Sequence, residues 1–441
     1  MPSPLRCVDK YSKRTLLITT ATHFQATMSA QEEDAANEAQ ELREDFEEDI
    51  SAKSGVDLGE ASAVNIDQEE QPHNKTARIF FSNWIHILYI SIFSVIGVTS
   101  RAFIGRLFGG DCDPNHAVKD WLYPLSHRIC VTTNGQTEQY GGALFIDLPD
   151  NMIGSFIIGF FTGHSTEWPA LPFLKHDHPL QGDQGLHLGI RTALCGSLTT
   201  FSSWNSQMVL MMDGTANPYL GTQVVSALFG YVIGLQVAIV SFRAGRTLSA
   251  WFQNRSNPHL FDTNMIRSAS ELGRCQKHCY WLSPTIGFLF ILILFALYVC
   301  GDLYWGRHYY REMWIACLMS PFGTIARWKL SKLNGKWSKH PWFPLGTWLA
   351  NFTGSIISAA LTAVAYLHLV KGEVGADVLA AISLGFAGSL STVSTYVKET
   401  VELSDKNPFY DKKAFLYSHM TMLSCCFVGL LVYSPIVRYA A

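Results

Sequence analysis

Three short strings occur twice in this chain, in the same order, and they limit its possible folds more than any other feature. Gly97-Val-Thr-Ser-Arg101 is echoed by Gly323-Thr-Ile-Ala-Arg327, and Asn151-Met-Ile-Gly154-Ser155 by Asn351-Phe-Thr-Gly354-Ser355. Gly196-Ser-Leu-Thr-Thr-Phe-Ser-Ser-Trp204 returns as Gly388-Ser-Leu-Ser-Thr-Val-Ser-Thr-Tyr396. Ordered self-similarity of this kind marks a duplicated structural unit, and transporters often consist of two copies of one helical unit.

The strings lie in apolar stretches long enough to cross a hydrocarbon core of about 30 Å. Hydropathy places spans near 83–106, 141–163, 186–212, 219–242, 283–304, 309–330, 343–369, 376–401 and 414–437. The expected fold class is therefore an all-α integral membrane protein of nine spans, and a soluble enzyme is excluded. Residues 83–243 form the first four-helix repeat and 305–441 the second, joined by a connecting helix over 283–304. Because one helix joins them, the second repeat enters the membrane upside down. The connector is almost purely aliphatic and aromatic and is expected to face lipid.

Arg243, Arg246, Arg255, Arg267, Arg274 and Lys277 crowd around the loop at 244–282, and Lys329, Lys332, Lys336 and Lys339 follow the sixth span. Cationic loops stay in the cytosol, so the N-terminus is expected inside and the C-terminus outside. Both repeated arginines are expected near the cytosolic end of their spans. Residues 1–82 precede the first span, and their first 70 positions hold 16 Asp/Glu against 6 Lys/Arg, although the whole chain has a net charge of only −3. A segment so acidic and so poor in large apolar groups cannot offset the entropy of ordering, and it is expected to be a disordered cytosolic tail. The ten cysteines show no disulfide framework. Cys112 and Cys130 share one loop and could pair, while the Cys275–Cys279 cluster matches no common zinc spacing.

Asn, Gly and Ser at i, i+3 and i+4 share a helical face, so Asn151 and Asn351 each combine a polar head with room for a close neighbour. A glycine followed by a run of Ser/Thr should break a membrane helix, and broken backbone at membrane depth survives only inside protein or beside an ion or water site. Carbonyls freed at Gly196, Thr199, Gly388 and Ser391 could coordinate a hard cation such as Na⁺. Phe201 and Trp204 share a face, as do Val393 and Tyr396. Ring edges carry the positive end of the quadrupole, and the hydroxyls of Thr200, Ser202, Thr392 and Ser394 are neutral donors, which together point to a small anion as solute. Apart from Arg101, Arg327, Asp147 and Asp150, toward span ends or in an irregular stretch, few ionisable groups are expected inside the helices, so an embedded carboxylate of the kind a proton-coupled pump needs is not found.

These strings resemble those of the fluoride exporters, the Fluc/CrcB-type channels of bacteria and their single-chain fungal and plant relatives. The resemblance covers roughly residues 83–437. It implies two antiparallel repeats with two fluoride pathways, a central structural Na⁺ on the third-helix carbonyls, and Asn151 and Asn351 as pore asparagines. By the same resemblance Phe201, Trp204, Val393 and Tyr396 stand at aromatic positions where the family pattern is Phe. With each pathway taking one ring from each repeat, Phe201 and Tyr396 form a competent pore, and Trp204 and Val393 a degenerate one. The resemblance further implies passive fluoride export across the plasma membrane, with lipid and fluoride but no nucleic acid as partners. It also implies a functional monomer, because the dimer is fused in one chain. A secondary transporter of another small solute and a non-transporting membrane adaptor are the competing readings.

Overall fold

The computed structural model describes residues 72–108, 144–163, 171–174, 179–213, 220–256, five positions within 287–296, 308–370, 372–406 and 412–440. All fall in one unit, Pro72–Ala441. The acidic tail, the Cys112/Cys130 loop, the Cys275–Cys279 cluster and most of the loop at 244–282 lie outside the described residues. Among those described, every element is helical.

In chain order the helices are α1 (Pro72–Phe108), α2 (Leu148–Thr162), α3 (Gln184–Leu188), α4 (Cys195–Leu198), α5 (Phe201–Asp213), α6 (Leu220–Ser256), α7 (His308–Ser331), α8 (Leu345–Tyr366), α9 (Glu373–Ala381), α10 (Gly388–Leu390), α11 (Ser394–Asp405) and α12 (Lys412–Ala440). A π-helical turn links α3 to α4 (Gly189–Leu194), and a second of equal length links α9 to α10 (Ile382–Ala387). π-turns inside helices concentrate at functional sites.

Among the described residues five segments are long and apolar enough to cross a membrane: Trp84–Gly105, Gly221–Gln253, Leu345–Tyr366, Glu373–Asp405 and Lys412–Tyr439; most of the expected connecting span lies outside them. The shortfall from the expected spans has local causes. α2 has 15 residues, about 22 Å at 1.5 Å per residue, which is shorter than a bilayer core. The third span is broken into pieces, and α7 carries Arg311, Glu312, Arg327 and Lys329.

Packing repeats across the two halves. α2 runs along α6, and α8 runs along α12 in the same relation, while α1 lies against α7. Close approach of α2 and α6 depends on Gly159, where a Cβ would strike the Phe242 backbone. The largest apolar cluster draws on both repeats, joining Phe145, Phe201, Trp204 and Tyr231 to Val393, Tyr396 and Tyr417. Wide apolar faces point outward along α6 and α12, including Phe229, Val232 and Val240, and Phe415, Leu423 and Phe427. Such contiguous exposure suits lipid as solvent.

Five positions of the expected connector are described. A Cβ at Gly287 would come within 3.2 Å of Leu88 Cδ2, and Phe290 packs with Val95, Met313 and Cys317. Leu289 and Ile293 remain exposed. At these positions Gly287 and Phe290 lie against protein while Leu289 and Ile293 face outward.

Candidate functional site

The predicted breaks occur at Thr199–Thr200 and Ser391–Val393. Thr199 is extended (φ −90°, ψ 146°), as is Ser391 (φ −83°, ψ 161°). An extended residue inside a helix orphans backbone donors and acceptors that must find partners when buried. Each repeated asparagine supplies them. Asn151 Oδ1 accepts from Thr200 N at 2.9 Å while its Nδ2 donates to Thr200 O at 3.3 Å. Asn351 does the same for Thr392, at 2.8 and 3.2 Å. Both asparagines are fully buried. Each is thus a two-armed clamp on a break, with one amide hydrogen left to point elsewhere.

The breaks are also stitched to each other. Thr199 Oγ1 accepts from the amides of Val393 (3.2 Å) and Ser394 (3.1 Å), which caps the start of α11. Ser391 Oγ accepts from the Ser202 amide at 2.9 Å and so caps α5. Hydroxyl contacts complete the knot: Thr199 with Thr392 at 3.2 Å, Ser391 with Ser202 at 2.8 Å, and Thr392 with Ser394 at 3.2 Å. Thr200, Ser202, Thr392 and Ser394 all belong to this buried hydroxyl patch.

The aromatic positions meet across the repeats. Phe201 and Tyr396 lie edge to face with centroids 5.7 Å apart, and the Tyr396 hydroxyl donates to Ser418 O at 2.8 Å. Trp204 instead stacks on Phe145 at 5.2 Å and 11° and touches Tyr231. Val393 is buried in the same cluster.

Each repeated arginine lies four residues before the end of its span or helix, Arg101 in Trp84–Gly105 and Arg327 in His308–Ser331. They are 2% and 3% exposed and reach the breaks of the opposite repeat. Arg327 Nη1 donates to Gly196 O (2.7 Å) and Ser391 O (3.0 Å), and Nη2 to Thr192 O (2.7 Å). Arg101 Nη2 donates to Leu384 O. Gly196 and Gly388 make this possible, because a Cβ at either would collide with the facing guanidinium.

This geometry bears on how the expected sodium site would be filled. Carbonyl oxygen is the right donor type for a hard cation. Yet two of the four carbonyls named for it, those of Gly196 and Ser391, already accept from Arg327, and Gly388 lies against Arg101. The two guanidiniums are near enough to repel each other. A third positive charge about 4 Å from one of them would meet about 4 kcal/mol of repulsion at an effective dielectric of about 20. The donor set as arranged does not fit a metal ion.

Buried carboxylates are the residues sequence reasoning underrated. Asp147 precedes α2 and accepts from Ser203 Oγ (2.6 Å) and Gln207 Nε2 (2.7 Å). Asp150, in the first turn of α2, is fully buried, and neither of its oxygens has a hydrogen-bond partner among the described residues. Both lie within electrostatic reach of Arg101. In the second repeat Glu399 accepts from Thr347 Oγ1 (2.7 Å), Asn334 Nδ2 (2.9 Å) and the Tyr417 hydroxyl (2.7 Å). The repeat register held the signal, since it sets Asp147 opposite Thr347 and Gln207 opposite Glu399. The same helix pair keeps one carboxylate and one neutral donor in each half, with the helices exchanging roles.

A helical, multi-pass membrane protein with paired broken helices is the class these features define. The family model for CrcB-like protein, Camphor Resistance (CrcB), matches residues 88–240 and 314–432, more than half of the chain, and the chain belongs to that family. It is 27% identical over 291 residues to fluoride export protein 1 of Candida albicans, covering 64% of this chain and 69% of that one. It is also 27% identical over 238 residues to fluoride export protein 1 of Neurospora crassa, covering 51% of this chain and 44% of that one. Against the fluoride-specific ion channel FluC 2 of Moorella thermoacetica it is 35% identical over 110 residues, 25% of this chain and 80% of the bacterial one. No solved structure matches the chain.

Proposed function

We propose that this chain is a fluoride channel that lets the ion leave the cytosol passively across the plasma membrane. The observation that carries the reading is membership of the CrcB-like family, with relatives named as fluoride export proteins and fluoride-specific channels. The clamped breaks add a physical reason. Neutral hydroxyls, a spare asparagine hydrogen and ring edges can replace part of an anion's hydration shell without a fixed charge that would trap it. An inside-negative potential of about 100 mV favours outward anion movement by about 2.3 kcal/mol, so no ATP is required.

In this reading the nine-span, inverted-repeat architecture holds, with the N-terminus in the cytosol, the C-terminus outside and one chain forming the working unit. The matched contacts in the two halves support it: α2 with α6 against α8 with α12, and Asn151 on Thr200 against Asn351 on Thr392. One pore conducts, built around Phe201 and Tyr396. The flat stack of Trp204 on Phe145, together with the missing ring at Val393, supports a degenerate second route.

Efflux from liposomes holding the purified protein, read with a fluoride electrode against chloride and with a potassium ionophore to release charge, tests the proposal. Rapid voltage-driven fluoride loss without chloride loss is expected. The buried Asp147 and Asp150 and the half-buried Glu399 favour a second reading, a proton-coupled transporter, because such carboxylates can relay protons. Flux that follows a proton gradient with no voltage applied would select that reading.

A further inference from the structure

We infer that the guanidinium of Arg327 is the cation that ties the two broken helices together, so that the chain needs no metal ion at its centre. Three observations carry this. First, Arg327 reaches three carbonyls in two repeats: Thr192 and Gly196 of the first, 131 or more residues away in sequence, and Ser391 of the second. Second, Gly196 lies in the last turn before the break at Thr199 and Ser391 directly follows α10, so two of these carbonyls sit at C-terminal helix ends, which favour a cation, while Thr192 lies in the π-turn before α4. Third, Gly196 leaves no space there except for the guanidinium, since a Cβ would strike Arg327 Nη1, Nη2 and Cζ.

A planar fork with several donors suits this position better than a spherical ion, because one nitrogen can bridge Gly196 O and Ser391 O while the other holds Thr192 O. Arg101 is its sequence counterpart but does not bridge. It donates to Leu384 alone, and its Nε and Nη1 have no partner among the described residues. Of the two arginines, Arg327 is therefore the one that adds a charged bridge to the hydroxyl contacts between the breaks.

The test reads stability, so its result is independent of whether fluoride is the permeant ion. The full chain, purified without sodium, is unfolded thermally in rising NaCl and in matched choline chloride. A ligand that binds only the folded state raises the melting temperature with its concentration. The expected result is the same curve in both salts; a rise specific to sodium would overturn the inference. Arg327→Gln provides the second arm, removing the charge that would repel a cation together with the fork. It should melt lower than the parent, and the freed Gly196 and Ser391 carbonyls should give it a sodium-specific rise. A variant as stable as the parent, or one that melts lower and ignores sodium, would count against the guanidinium standing in a cation's place. Should Arg327→Gln fail to fold, the parent curves in the two salts still decide, since a sodium-specific rise there overturns the inference.

Discussion

The hydroxyl of Thr199 caps a helix that belongs to the other half of the chain, accepting the Ser394 amide at 3.1 Å across 195 residues of sequence. Ser391 returns the arrangement by accepting the Ser202 amide. Each break takes part of its capping from the other half, so a change at one should be felt at both.

Truncating either clamp should be costly. Asn151→Ala and Asn351→Ala each leave a buried amide and carbonyl of one threonine without partners, at about 1–3 kcal/mol per orphaned group. Thermal unfolding should show similar losses for the two variants. Fluoride efflux from whatever fraction folds should differ between them, because only one pore conducts.

Glycine substitutions separate crowding from helix propensity. Gly196→Ala and Gly388→Ala drive a methyl into a guanidinium and should destabilise by about 1–3 kcal/mol, as overpacking does. At Gly221 nothing lies within 4 Å, so Gly221→Ala should change stability by less than about 1 kcal/mol. Melting curves of the three variants check this order.

Ring substitutions test the asymmetry of the pores. An aromatic edge contact is worth about 0.5–1.5 kcal/mol, or roughly a twofold to tenfold change in rate if it is lost only in the transition state. Phe201→Leu should slow fluoride efflux by that amount, and Tyr396→Phe should preserve it. Val393→Ala should leave the rate nearly unchanged. Equal losses at Phe201 and Val393 would contradict the single-pore proposal.

The exchanged carboxylates make a double-mutant cycle decisive. Gln207→Glu sets a second carboxylate against Asp147 and removes its amide donor. Adding Asp147→Thr rebuilds the Thr347–Glu399 arrangement found in the other half. The pair should recover stability with a coupling of about 1–3 kcal/mol, measured by unfolding of the parent, both singles and the double.

Much of this was legible before any coordinates. The doubled Gly-Ser/Thr strings located both breaks within a residue or two, because a glycine with competing hydroxyls weakens a membrane helix wherever it stands. Asn151 and Asn351 could be paired by their shared i, i+3, i+4 neighbours. What they bond could not be read, since Thr200 and Thr392 lie 49 and 41 residues farther along the chain. The same limit hid the crossing of Arg101 and Arg327 onto opposite repeats, because hydropathy measures cost and says nothing about partners. The π-turns at Gly189–Leu194 and Ile382–Ala387 left no trace in composition, and Glu399 escaped notice because Thr347 and Tyr417 come from two other helices.

Reciprocal capping also sets a schedule for the ribosome. At about 5–20 residues per second, Ser394 emerges roughly 10–40 seconds after Thr199, and until then the first half holds a break whose partner does not yet exist. During that interval its unpaired amides and hydroxyls must be sheltered by water, by the translocation machinery or by another chain. Assembly of this protein is therefore most exposed to error midway through its own synthesis, when half of it is already in the membrane.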